Sequence, residues 1–451
     1  MRTFARSRLA ASSVILSVVV AACGGGGATP SPSSVASGMP PTPSAAASPT
    51  SSPAYGVTTL YVLEGPTTKI ITEAAQAFSK GNQGTIEVTQ LAGETYQTKM
   101  RTIMGSGKHP DMFYNWGGAT IRDYVDANLL LDLGPMIAQH PEIANRFQPS
   151  VVKAGQINGK QYALPLNGMA PVLLFYNKTI FDKAGLQPPK TWDDVKTLVT
   201  QFKSQGITPF ALAGSQAWCE LEWMEYLVDR LGGPDLISSI VAGDWSKWGD
   251  PAVLQAAQMA VDLVNSGAFG TNFSSIAYGG GGSTTMMTTG KAAMTVQGAW
   301  EYPVAQGVDA KFVTDSLAVA PFPSIPGGKG DPGNLVGNPA NFVSVSASAQ
   351  NIDTIAAFLA QLSTDDYATA LMKNSEIPAT KTAADFVSHA SNPAFARLQI
   401  DLVSRAPAFQ LSWDLAVQPK VATPLLQSIQ DLFNGVLTPQ AFVSAVQAIQ
   451  P

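Results

Sequence analysis

The chain has 451 residues with 32 acidic against 27 basic side chains, a mean hydropathy of +0.09 and two cysteines. That length exceeds one ordinary core and predicts two domains, while the acidic excess and the absence of any Lys/Arg run exclude nucleic acid as a partner. His109, His140 and His389 are scattered without H-x3-H spacing or a cysteine beside them, so neither a transition-metal site nor any other cofactor is implied.

Arg2, Arg6 and Arg8 precede an apolar stretch over residues 9–22, the layout of a secretory signal over residues 1–22. That stretch falls short of the roughly 20 residues needed to span a bilayer, so cleavage is expected. Val20-Ala21-Ala22-Cys23-Gly24 resembles the bacterial lipobox, which implies diacylation of Cys23 and a lasting membrane anchor. Residues 24–54 carry Gly, Ser, Pro, Ala and Thr, no charge and almost nothing apolar. With Cys23 they are expected to form a disordered tether over 23–54, with a reach of roughly 30 Å. Without the signal, 24 basic residues face 32 acidic ones, and Cys219 is the one thiol left, so no intramolecular disulfide is expected.

The folded part opens with an alternating β-branched stretch at 57–63, and Pro66-Thr67 then starts a helix whose Ile70, Ile71, Ala74, Ala75 and Phe78 make one apolar stripe. A strand at 85–89, a helix at about 94–105 and a strand at 111–114 follow. Strand alternating with helix predicts a parallel α/β sheet, whose ligand-facing loops leave the carboxyl ends of the strands. Those loops carry Glu64, Glu94, Tyr96, Asn115 and Trp116.

Residues 170–176 form a continuous apolar run ending at Asn177-Lys178, a buried strand. Ile180, Phe181 and Ala184 continue as a short helix, Gly185 offers a left-handed end, and Pro188-Pro189 forbids continuation. Thr191 then caps a helix over 192–204 by accepting from the residue 194 N–H, with Asp193 and Asp194 in the first turn. Helices are also predicted at 220–231 and 251–265. The Gly-rich loop at 278–282 lacks the spacing of a phosphate loop, since Thr285 and Ala292 stand where Gly and a hydroxyl are needed.

The stretch from Tyr176-Asn177-Lys178 through Pro188-Pro189-Lys190-Thr191-Trp192-Asp193 resembles the signature of the family 1 extracellular solute-binding proteins. Gly290 to Glu301, reading GKAAMTVQGAWE, is similar to a second segment of that family, and weaker likenesses at 317–321, 341–348, 375–379 and 435–440 extend the resemblance over about 55–450. It implies an α/β periplasmic-binding fold of two lobes, each a mostly parallel sheet flanked by helices, joined by crossing hinge strands. Transferred here, the first lobe is expected at 55–167 plus 315–342, and the second at 168–314 plus 343–451. It further implies a monomeric, non-enzymatic lipoprotein subunit of an ABC importer, outside the cytoplasm, that closes on a carbohydrate and presents it to permease subunits.

Sugars offer C–H faces to aromatic rings and hydroxyl edges to amides and carboxylates. Of the eight tryptophans, Trp116, Trp218, Trp300 and Trp413 lie in non-periodic segments beside polar residues and are the ring candidates. Trp300 matches the family's aromatic position. Glu64, Glu94, Tyr96, Asn167, Asn341 and Glu301 complete the candidate ligand set. Trp192 and Trp223 are expected to pack. Two rivals stand beside the sugar reading: the same fold with a polyamine, glycerol phosphate or peptide cargo, and a secreted glycoside hydrolase using Glu220, Glu222 or Glu225, residues otherwise expected on a solvated helix face.

Overall fold

The computed structural model describes residues 55–449 apart from residue 82. The expected signal over residues 1–22, the expected tether over 23–54 and its acylation at Cys23 lie outside the described residues.

The first sheet runs in the order Thr85–Leu91, Val57–Leu63, Met112–Asn115, Phe342–Val345, Leu164–Pro165. The three strands that alternate with helices pair in parallel, as their spacing predicts. Phe342–Val345 arrives from the other lobe and lies antiparallel to Met112–Asn115. The helix Pro66–Lys80 starts with proline in its first turn and buries Ile70, Ile71, Ala75 and Phe78 against this sheet.

The second sheet is built around Ala170–Asn177. Ala292–Gly298 lies antiparallel on one side of it, with Leu335–Asn338 and Leu317–Ala320 antiparallel on the other. Thr208–Phe210 and Phe409–Leu411 add parallel edges. Both sheets are therefore mixed. The continuous apolar run has a direct cause: Val172 and Leu174 enter one core cluster while Leu173 and Phe175 enter another on the opposite face. The next two elements form as their residues dictate. Asn177 caps the helix Lys178–Ala184, Gly185 ends it at φ 69°, and Thr191 with Asp194 makes a reciprocal capping box for Trp192–Ser204.

The division into lobes differs from the expectation. Leu317–Ala320 and Leu335–Asn338 stay in the second lobe, because both pair with Ala170–Asn177. Residues 340–396 return to the first core, where Phe342, Val345, Phe358 and Tyr367 are buried, and Phe409–Leu411 rejoins the second sheet. The crossings thus fall at about 167–169, 339–341 and 406–408. A short apolar strand such as Leu317–Ala320 fits either sheet by pattern, and only its register against Leu174–Asn177 decides.

Candidate functional site

Two aromatic clusters stand on the two lobes. In the second lobe, Trp218 enters from the first turn of the helix Ala217–Gly232, Trp300 from the end of the strand Ala292–Gly298, and Tyr278 from the head of the Gly-rich loop. Trp218 meets Trp300 at 6.0 Å between ring centroids and Tyr278 at 5.1 Å, both edge to face. A side chain at residue 298 would strike the Trp300 ring within 2.3 Å, so Gly298 is what lets the indole fold back there. Trp300 Nε1 donates to Gln297 Oε1 at 3.3 Å, and Gln297 Nε2 donates to Cys219 Sγ at 3.3 Å. The indole is half-buried with its orientation fixed.

In the first lobe, Trp116 is half-buried and packs edge to face on Tyr114 at 5.2 Å and Tyr96 at 5.8 Å. The Tyr96 hydroxyl donates to the Tyr114 carbonyl at 2.7 Å, and burial raises its pKa well above the usual tyrosine value. Asn115 is also engaged: Nδ2 donates to Ser344 Oγ at 2.9 Å and Oδ1 accepts from the Gly117 N–H at 2.9 Å. Next to this cluster a narrow hollow runs between the lobes, lined by Arg101, Trp116 and Tyr124 on one side and by Asp414, Pro419 and Ala422 on the other. Burial pushes the Asp414 carboxyl up to about 6.

Residues 64–369 match the family described as bacterial extracellular solute-binding protein. The chain belongs to that family. Among curated relatives of this solute-binding protein, an uncharacterized ABC transporter extracellular-binding protein of Pyrococcus horikoshii is 29% identical over 211 residues, 46% of each chain. The multiple sugar-binding protein of Streptococcus mutans is 26% identical over 245 residues, 52% of this chain and 54% of its own. The matches thus span about half the length of these relatives. Among solved structures, a chitin oligosaccharide binding protein superposes with a TM-score of 0.77 at 26% identity, covering 86% of this chain and 97% of its own.

Of the candidates in this solute-binding protein, Trp218 and Trp300 come together and Trp116 faces the interlobe hollow. Tyr96 is 1% exposed and acts from beneath as a prop for Trp116. Trp413 corrects an expectation. It is 2% exposed and packs on Trp248 at 5.4 Å inside the second core, because the chain has just rejoined that sheet. Glu301 is likewise buried, taking a hydrogen bond from Thr284 Oγ1 at 3.1 Å, and burial pushes its carboxyl up to about 7. Glu64 stands exposed at the end of the opening strand, beside Lys69 and Gln90. Glu94 lies on the turn Gly93–Thr95, and its side chain is outside the described residues. Asn167 and Asn341 sit on the first and second crossings. Glu220, Glu222 and Glu225, expected on a solvated face, are buried in the second lobe.

Tyr278, Asp414, Arg101 and Tyr124, absent from the sequence-based set, join the candidates through their positions at the Trp218 ring and along the hollow. Tyr278 had a signal: an aromatic at the head of a glycine run, in a segment without helical or strand period, is placed for contact. Asp414 had one as well, standing beside Trp413. Arg101 and Tyr124 had none, since on a helix they read as ordinary surface residues. No group of three or more His, Cys, Asp or Glu among the described residues is arranged to hold a metal ion.

Proposed function

We propose that this solute-binding protein captures a carbohydrate, an oligosaccharide, between its lobes by hinge closure and delivers it to the permease of an ABC importer. The observation that carries the reading is the pair of aromatic clusters, Trp218–Trp300–Tyr278 on one lobe and Trp116–Tyr96–Tyr114 on the other. The half-buried rings of Trp116 on one lobe and of Trp218 and Trp300 on the other, with polar groups nearby, suit a sugar's alternating C–H faces and hydroxyl rim. Family membership and the sugar- and oligosaccharide-binding relatives support the same substrate class.

The protein acts as a monomer outside the cytoplasm, held to the membrane through acylated Cys23 and its Gly/Ser/Pro tether. It binds cargo without transforming it. A polyamine cargo calls for several ionised carboxylates in the cleft, whereas the interlobe hollow is lined by the single carboxyl of Asp414, which burial pushes up to about 6, and by the cation of Arg101.

A thermal-shift screen with chitotriose, xylotriose, maltotriose, stachyose, spermidine and glycerol phosphate tests the reading. One or more of the oligosaccharides raises the unfolding midpoint with concentration, as a ligand of the folded state must. A response to spermidine or glycerol phosphate alone would overturn the substrate class, and steady release of new reducing ends would overturn the binding role.

A further inference from the structure

The hinge carries three asparagines: Asn167 on the first crossing, with Asn338 and Asn341 at the second. Their side-chain oxygens share one property. Each Oδ1 is buried and accepts no hydrogen bond from any described residue. Asn167 and Asn338 are 7% and 6% exposed. A buried amide oxygen with no protein donor takes its hydrogen bond from water or from a ligand. Asn115, at the end of its strand in the first sheet, shows the other outcome, with both ends of its amide engaged.

The backbones of the three asparagines form a row. The N–H groups of Leu166 and Asn167 donate to the Asn341 carbonyl at 2.8 and 3.3 Å, and Asn338 pairs with Ala170, so the two crossing segments run antiparallel side by side. At one end Phe342 pairs with Asn115. Continued by one residue, that register brings Asn341 level with Trp116, one strand spacing or about 4.8 Å away. At the other end the Ala299 N–H donates to the Pro171 carbonyl at 2.9 Å, immediately before Trp300. Asn338 is therefore two strand spacings, about 10 Å, from the Trp300 backbone. The row lies between the aromatic cluster of one lobe and that of the other.

We propose that Asn167, Asn338 and Asn341 form a hydroxyl-binding floor at the hinge, accepting hydrogen bonds from the sugar held between Trp116 and Trp300. This rests on the carbohydrate reading above. A sugar fits because its hydroxyls bring several donors at once, while its C–H faces are left for the rings. The floor belongs to the strands on which the lobes pivot, so a sugar engaging it touches both crossings together. Selectivity follows from the same chemistry. A deoxy or O-methyl sugar leaves the amide oxygens without a donor and is rejected for the missing hydroxyl.

The test compares wild type with Asn338→Leu and Asn341→Ala in calorimetric titrations with chitotriose, xylotriose, maltotriose and stachyose, together with ligand-free unfolding midpoints. Asn341 is part-exposed and is replaced by a smaller side chain, which guards against a variant that fails to fold. Each substitution weakens binding of the responsive sugar about tenfold, one charge-free hydrogen bond plus the group left unpaired. The ligand-free midpoint stays level or rises, because an unpaired buried acceptor has been removed. Unchanged affinity in both variants overturns the floor, since water then serves the amides. Affinity and midpoint falling together in both variants overturns it too, in favour of a structural role. A wild type that binds none of the four sugars fails the carbohydrate reading itself.

Discussion

Trp300 and Trp413 look alike in the sequence: each follows a strand-like stretch, precedes an acid, and falls outside any period. The fold separates them. Trp300 is half-buried over Gly298, with its indole N–H tied to Gln297, whereas Trp413 is sealed against Trp248. Their substitutions must therefore diverge. Trp300→Ala lowers affinity for the responsive oligosaccharide about tenfold, the scale of one lost aromatic contact with its buried area. Its unfolding midpoint stays near wild type. Trp413→Ala opens a cavity in the second core and costs about 3–5 kcal/mol in a denaturant titration. A Trp413→Ala variant with wild-type stability would show that the residue is no part of that core. What was legible at this scale was the glycine-flanked aromatic GAW segment; an isolated tryptophan gives no sign of which side of a wall it stands on.

At the scale of one element, the helix Ala217–Gly232 shows where periodicity misleads. Glu220, Glu222 and Glu225 read as a wet face, yet these and the neighbouring Asp229 and Arg230 are all buried, because the sheet, the helix Pro251–Asn265 and the helix Pro419–Phe433 surround this helix. Its polar groups hold the strands that lead to the hinge. Glu225 accepts from the Trp413 N–H at 2.7 Å and the Ser412 hydroxyl at 3.2 Å. Asp229 accepts from Asn334 Nδ2 at 3.1 Å and from Gln410, and Arg230 donates to the carbonyls of Pro332 and Asn334 at 3.0 and 3.1 Å. Capped helices such as Trp192–Ser204 were legible to the residue because their signals are local; a helix wrapped on every side depends on distant chain. The buried acids give a pH prediction. Burial raises the Glu220 and Glu225 carboxyls from 4.5 to about 9 and about 8, so between those limits the folded state holds protons that the unfolded state has released. Stability is then fully present below about pH 4.5 for these groups and is lost as pH rises toward 8 and 9. Calorimetric midpoints at fixed ionic strength fall from pH 5 to pH 9, and Glu220→Gln, which keeps the neutral shape, flattens the decline and melts higher than wild type at pH 9. A midpoint that climbs over this range contradicts the burial of these carboxyls.

For the whole molecule, three crossings make the lobes two bodies sharing a hinge of short parallel and antiparallel strands, and that constrains how binding and shape are linked. The existence of two α/β bodies was legible from strand–helix alternation and length. The path between them was not, because each crossing is a choice of partner strand and not a local pattern. A ligand shifts the open–closed balance only by contacts it gains on closing, and those require both walls. Trp116 on one lobe and Trp300 on the other supply such contacts in the proposed mode. Removing about 1.4 kcal/mol of closed-state stacking by Trp116→Ala lowers the closed-to-open ratio of the bound protein about tenfold, even where sugar still occupies the Trp218–Trp300 cluster. Small-angle scattering with saturating oligosaccharide should then show compaction in wild type and less of it in Trp116→Ala at equal occupancy, occupancy being fixed independently by the tryptophan emission of the second-lobe cluster. Equal compaction in both proteins would mean that closure is driven from one wall alone, and the two-walled mode would have to be given up.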